Sequence, residues 1–254
     1  MKTIVIVSQK GGTGKTTTAA TLAEGLARQG RRVLCIDINE QADLSDTLGI
    51  IGDTAGSLEL LTGTPAGELI RPANIDNVDI IPGAAALATL EGRIPQNKKG
   101  RAFLLKDAIT PLKGKYSYCI IDAPGSFNTA LLNALSAADT IIIPAQADYY
   151  SLKGIGRLID NIRYVKSALN PSLHVAGILI TRYNGRRNVS KAAIDALEAA
   201  RESLGTKVFK AKIRESAKIA EAPGNRKTVL KHAAGSNGAA DYTEFIKEFL
   251  GGKK

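Results

Sequence analysis

The chain has no tryptophan, only two cysteines and 5% aromatic residues in 254. So few rings exclude a platform on which successive bases of single-stranded nucleic acid could stack. Cys35 and Cys119 each lie inside an apolar run, "RVLCID" and "YSYCIID". Their spacing fits neither a zinc site nor a disulfide framework, and they read as buried thiols. No apolar run exceeds about six residues, which excludes a membrane-spanning helix. The opening "MKTIVIVSQKGG" has the lysine and short apolar run of a weak signal peptide. It leads into glycines rather than a small-residue cleavage site, so it reads as a first strand of a cytoplasmic protein. No linker rich in Pro, Gly or Ser divides the chain and no repeat is present, so residues 1–254 are expected to form one domain.

What is present is basic: 34 Lys plus Arg against 24 Asp plus Glu, a net charge of +10. A surplus of this size points to a polyanionic partner, nucleic acid before membrane surface. Seven short β-branched runs recur: 3–7, 32–37, 78–83, 118–122, 140–145, 175–181 and 207–213. They are continuously apolar rather than alternating, the pattern of strands covered on both faces. Helical periodicity fills several gaps. In 15–30, Ala19, Leu22, Ala23 and Leu26 share a stripe that ends at Gly30, a C-terminal cap. Stretches 151–170 and 190–205 behave likewise, and 239–250 carries Tyr242, Phe245, Ile246, Phe249 and Leu250 on one side. That last helix is expected to dock on its own sheet rather than on a membrane. Segment 91–101, "EGRIPQNKKGR", reads as an exposed connection. Alternating strands and helices give the fold class: α/β, doubly wound, a mostly parallel sheet flanked by helices.

The stretch "SQKGGTGKTT", residues 8–17, lies between the first strand and the first helix. It nearly matches the phosphate-binding pattern G-x-x-x-x-G-K-[ST], with Gln9 at the first glycine. Gly11, Gly12 and Gly14, with Thr13 between them, let backbone N–H groups turn toward phosphate oxygens. The helix beginning near Lys15 adds its N-terminal dipole. Lys15 is placed to reach the β- and γ-phosphates, the Thr16 hydroxyl to bind Mg²⁺, and Thr17 to complete the loop. Two further runs end in carboxylates, Asp37 in "CIDINEQADLS" and Asp122 in "CIIDAPG". Acids at the C-terminal ends of parallel strands face the ligand crevice, which makes both candidates for the Mg²⁺ shell.

Together "KGGTGKTT", "CIIDAPG", "PAQADYYSLKGI", "ITRYNGR" and "IRESAKIAEAPGNRKTV" resemble the deviant-Walker ATPases of the ParA/MinD superfamily, in particular the Soj-like ParA DNA-partition ATPases. The likeness runs in order through essentially the whole chain. It implies ATP and Mg²⁺ as cofactors and a homodimer formed with ATP. It also implies that Lys10, the extra lysine of the loop, reaches the partner's nucleotide, so that two triphosphates in one interface are neutralised from both sides. It implies non-specific binding of double-stranded DNA, nucleoid association and an adaptor of the ParB kind. The cargo would be a plasmid, an integrated element, a chromosome or a protein assembly. Arg186 and Lys218 match positions that are basic on the family's DNA surface; Arg187, Arg226 and Lys227 join them by charge and proximity. Arg214 resembles the region packed near the adenine. A MinD-like membrane ATPase, an iron–sulfur reductase on the same scaffold and a binding module with a decayed ATPase are the competing readings.

Two departures stand out. The family's D-x-D-P-Q is Asp37-Ile38-Asn39-Glu40-Gln41 here. Asn39 replaces the aspartate implied to position the attacking water, and an amide orients water without taking its proton. Hydrolysis is therefore expected to be slow, with Glu40 or Asp43 as possible substitutes. The proline that precedes the family's equivalent of Arg214 is Ile213.

Overall fold

The computed structural model of the chain describes residues 1–52, 54–95, 100–185 and 205–251, together with 193, 194, 197, 198 and 201; for 149–154 it describes the backbone alone. The strands are β1 (Lys2–Ile6), β2 (Val33–Asp37), β3 (Arg71–Pro72), β4 (Val78–Ile81), β5 (Tyr118–Asp122), β6 (Thr140–Gln146), β7 (His174–Tyr183) and β8 (Val208–Arg214). They form one sheet in the order β3-β4-β2-β5-β1-β6-β7-β8. All pairings are parallel except that of β3 with β4. The seven apolar runs of the sequence are the seven parallel strands. β3 has two residues, one of them a proline, and carries no such run.

Continuous apolarity has the reason expected of it. Alternate residues of β1 enter different cores: Val5 packs with Leu34, Ile121, Leu131 and Leu158, while Ile4 and Ile6 pack with Leu22, Leu26, Cys35 and Phe245. Both sheet faces are covered, so neither can be polar. Helix α1 (Lys15–Ala27) buries Ala19, Leu22, Ala23 and Leu26, and Gly30 closes the following turn at φ 73°. The C-terminal helix Asn237–Phe249 starts at Ser236, whose Oγ accepts the Ala239 N–H. It buries Tyr242, Phe245 and Ile246, and only Leu250 beyond its end is exposed. Most of its apolar side therefore packs on the sheet. Among the described residues no helix is long and apolar enough to cross a membrane. The same helix guards the sheet edge. Glu248 accepts the N–H groups of Lys210 and Ala211, and Asp241 accepts that of Arg214, all on the edge strand β8.

Segment 91–101 is exposed at most of its described residues, as expected, but it is also anchored. Leu90–Arg93 is a helical turn, Ile94 is buried, and Glu91 accepts the Thr129 N–H at the start of helix Thr129–Ala137 while pairing with Arg101. Residues 96–99 lie outside the described residues, as does most of 190–205, of which Ile194 and Leu197 are buried.

β1 lies between β5 and β6, with β2 beyond β5, so the strand order reverses beside β1. In open sheets of this kind the ligand crevice opens there, at the C-terminal ends of the strands. Helix Ser57–Thr62 packs over the end of β2: the Ser57 hydroxyl donates to the Asp37 carbonyl and the Ser57 N–H to the Pro82 carbonyl. A Cβ on Gly56 would stand 2.0 Å from the Pro82 carbonyl oxygen, which is backbone and cannot swing aside. Gly56→Ala is therefore expected to destabilise the chain by roughly 2–4 kcal/mol, measured as a lowered denaturant midpoint with an unchanged slope.

Candidate functional site

The loop 8–14 leaves β1 and enters α1 through two residues at positive φ, Gly12 (71°) and Gly14 (83°). No neighbour lies within 4 Å of a Cβ at Gly12, so it is backbone conformation, not space, that asks for glycine there. The loop is tied from three sides. Thr13 Oγ1 donates to the Lys10 carbonyl at 3.3 Å, Thr181 Oγ1 to the Thr13 carbonyl at 2.8 Å, and Gln146 Nε2 to the Gly12 carbonyl at 2.7 Å. Tyr242 Oη, buried against Thr18 Oγ1 at 3.1 Å, stands behind Gly14. Such bracing holds the free N–H groups of the loop in place before any anion arrives.

A cavity opens on each side of this loop. One, of about 290 Å³, is lined by Gly11, Lys15, Asn39, Glu40, Gln41 and the turn Pro124–Ser126. The other, of about 480 Å³, is lined by Gly12, Gly14, Thr17, Thr181, Arg214 and Tyr242. A linear phosphate chain laid over the loop would have its reacting end in the first and its nucleoside in the second. Arg214 is on that second wall, but its guanidinium is already paired with Asp241, at 2.6 Å from Nη2 and 2.9 Å from Nε.

Beside the loop are two buried carboxylates. Parallel register sets Asp37 of β2 directly against Asp122 of β5, and both are fully buried. Burial first, and then the neighbouring Asp37 charge, raise the Asp122 carboxyl to about 8 against the opposing effects of the Thr16 hydrogen bond and Lys15. Burial lifts Asp37 to about 6, opposed by hydrogen bonds from Ser45. Burial also lowers the Lys15 ammonium, which Asp122 and Asp43 partly restore. The two acids are not equivalent. Asp37 is satisfied: its Oδ2 accepts the Ser45 N–H (2.9 Å) and hydroxyl (2.7 Å), and its Oδ1 accepts the Asn39 N–H (3.2 Å). It organises the segment 39–45. Asp122 accepts the Thr16 hydroxyl on Oδ2 at 2.6 Å, while its Oδ1 is buried with no partner. An orphaned buried carboxylate oxygen next to a threonine hydroxyl, at the mouth of a phosphate loop, fits Mg²⁺. That ion keeps several waters and takes few protein ligands. Among the described residues no cluster of three or more His, Cys, Asp or Glu could hold a metal by itself. The donor set thus suits a metal shared with phosphate.

The two lysines of the loop go to different places. Lys15 lines the first cavity; Lys10 lines neither. The Lys10 ammonium is instead bound within its own chain, to Asp148 Oδ2 at 2.6 Å and Gln146 Oε1 at 3.1 Å. Asn39 is half-buried on the cavity wall, and its amide oxygen accepts the Gln41 N–H at 3.3 Å. Glu40 shares that wall. Of the five basic residues proposed for nucleic acid, the three that are described do not line either cavity. Lys218 pairs with Glu221, Arg226 with Asp46, and Lys227 is exposed; Arg186 and Arg187 lie outside the described residues.

Sequence reasoning missed Ser45, Gln146, Asp148 and Thr181. The signal for two of them was present in "PAQAD", whose polar residues close an otherwise apolar strand end.

A nucleotide-binding phosphate loop in a doubly wound sheet defines the class, a P-loop nucleotide hydrolase. A family model described as an AAA domain matches residues 1–175. The chain is 36% identical to the chromosome partitioning protein ParA of Myxococcus xanthus, over 97% of this chain and 87% of that protein. It is 34% identical to the sporulation initiation inhibitor protein Soj of Bacillus subtilis, over 97% of each. A Mycobacterium smegmatis structure described as cobyrinic acid a,c-diamide synthase with bound ATP analog and magnesium superposes with a TM-score of 0.85 at 30% identity, over 98% of this chain and 94% of that one. The chain belongs to the ParA/Soj family of partitioning or positioning ATPases.

In the folded chain Asp122 holds a proton up to about pH 8, whereas in the unfolded chain it releases it near the ordinary value of 3.8. The folded form thus binds the extra proton between these values, and its stability falls as pH rises through that window. Asp122→Asn removes the Asp122 share of the dependence. Without nucleotide, its melting temperature is expected to exceed the parent's by a margin that grows from pH 4 to pH 8 and then levels, read by thermal unfolding across that range.

Proposed function

We propose that the chain, as one domain spanning residues 1–254, is an ATP-driven switch. It pairs with a second copy when it holds ATP and Mg²⁺, binds double-stranded DNA without sequence preference in that state, and so positions a cargo on the nucleoid. The cargo is a plasmid, an integrated element, a chromosome or a protein assembly, and an adaptor of the ParB kind stimulates release. The observation that carries this reading is the placing of Lys10. A phosphate loop with a complete lysine of its own holds a second one outside both cavities, on an acid 138 residues away in the chain. A cation held beside the loop but not serving its phosphates is available to those of another subunit. Lent across an interface, it acts as an arginine finger does.

Within the site, the loop N–H groups at Gly11–Gly14 cradle the phosphates, and Lys15 balances charge on the transferred group. Thr16 and Asp122 hold Mg²⁺, which neutralises β- and γ-phosphate charge when bound; Asp37 fixes the shape of 39–45. Asn39 orients a water for attack on the γ-phosphorus. The O–P bond to ADP breaks, and the water's proton passes to phosphate or solvent rather than to a side chain at 39. Hydrolysis is therefore slow and the paired state long-lived. Arg214, held by Asp241, shapes the nucleoside cavity instead of gripping the base directly.

Size measurements with ATP and Mg²⁺ are expected to show pairs for the parent and single chains for Lys10→Ala; unchanged pairing in Lys10→Ala contradicts the reading. Asn39→Asp is expected to raise turnover by about 10²–10³-fold, and a parent already as fast as Asn39→Asp removes the case for slow hydrolysis.

A further inference from the structure

The segment behind the reacting cavity is wired to the basic strap near the C-terminus. Residues 39–41 line the cavity, and helix α2 (Asp43–Thr47) begins two residues later. Ser45 of α2 is fastened to Asp37 by two hydrogen bonds. The next residue, Asp46, faces away from the site and accepts Arg226 Nε on Oδ1 at 3.3 Å. Arg226 has no freedom to wander. It closes the end of helix Ala217–Gly224 in the left-handed conformation (φ 50°), its N–H donating to the Pro223 carbonyl at 2.8 Å. Its own carbonyl accepts Asn74 Nδ2 at 2.7 Å. Asn74 joins the two parts: its backbone N–H donates to the Leu48 carbonyl at the end of α2, and its carbonyl accepts Lys231 Nζ at 2.8 Å. Asn74 thus ties the strap's backbone to the C-terminal end of α2, so it is a rotation of α2 about that link, rather than a shift of the whole, that opens the exposed Asp46–Arg226 side-chain contact.

We propose that Asp46 is a gate. With the phosphate cavity empty it holds Arg226 away from DNA phosphates, and when a triphosphate draws 39–41 toward Lys15, α2 rotates and Arg226 is released to the polyanion. This rests on the DNA-binding reading above and adds its regulation. Both partners are about half exposed, so the pair itself is weak and suits a contact that must open readily.

Binding of a labelled non-specific duplex is measured by fluorescence anisotropy across a salt series. The proteins are the parent, Asp46→Asn, Arg226→Asn and the double variant, each without nucleotide and with a non-hydrolysable ATP analogue plus Mg²⁺. Asparagine is used at 226 because it tolerates the left-handed backbone. Asp46→Asn is expected to tighten nucleotide-free binding about three- to tenfold and to steepen its salt slope by about 0.9, one phosphate contact. With the analogue it should match the parent. Arg226→Asn should weaken analogue-bound binding, and in its background Asp46→Asn should do nothing. Equal tightening in both nucleotide states, no tightening at all, or a gain that survives in the double variant overturns the gate while leaving the DNA reading intact. Absence of DNA binding by the parent in every state overturns the DNA reading and the gate with it.

Discussion

The structure depends on two carboxylates held so close that one of them is favoured in its protonated form. Parallel pairing of β2 with β5 fixes Asp37 and Asp122 side by side in a buried strand end. Two anions there are costly, and each lone carboxylate oxygen more so. Asp37 is relieved locally by Ser45 and Asn39, and in being relieved it shapes the segment that reaches the reacting cavity. Asp122 is only half relieved, by Thr16, and so keeps its proton unless positive charge arrives. In the proposed function that charge would be the Mg²⁺ held with nucleotide by Thr16 and Asp122.

From this point two paths leave the site. One passes through Gln146 at the end of β6 and Asp148 just beyond it, which hold Lys10 and the Gly12 carbonyl together. Gln146 touches both, so a phosphate that alters the loop also alters the grip on Lys10. The other passes along α2 to the strap 225–231. The first path would serve the proposed pairing and the second the proposed polyanion surface. Both start from residues beside the phosphate loop, so in that proposal one small ligand would bias both surfaces.

Much of this was legible in the sequence for simple reasons. Strands buried on both faces are continuous apolar runs, and all seven parallel strands were read from that property alone. The loop "KGGTGKTT" announced itself because positive-φ glycines followed by Lys-Thr at a strand-to-helix junction have few other uses. Hidden were interactions between distant residues. Nothing local in "DLSD" says that Ser45 will return to Asp37, and nothing in "PAQAD" says that its amide and acid will seize Lys10. The helical turn at Leu90–Arg93 was missed because four residues carry too little periodicity; only the tertiary contact of Glu91 with Thr129 explains it. Lys218 was chosen by its likeness to a basic position of the family and Arg226 by charge and proximity; neither signal shows that in the fold both have carboxylate partners.

The central claim, that Asp122 waits protonated for a cation, is tested most directly by the pH dependence of ADP affinity with and without magnesium. ADP avoids pairing and turnover. The account expects Mg–ADP to bind more tightly at pH 9 than at pH 7, by up to about tenfold, because only the ionised fraction of the raised Asp122 carboxyl is competent. ADP in chelator should show no such rise. A flat Mg–ADP profile from pH 7 to 9 contradicts it.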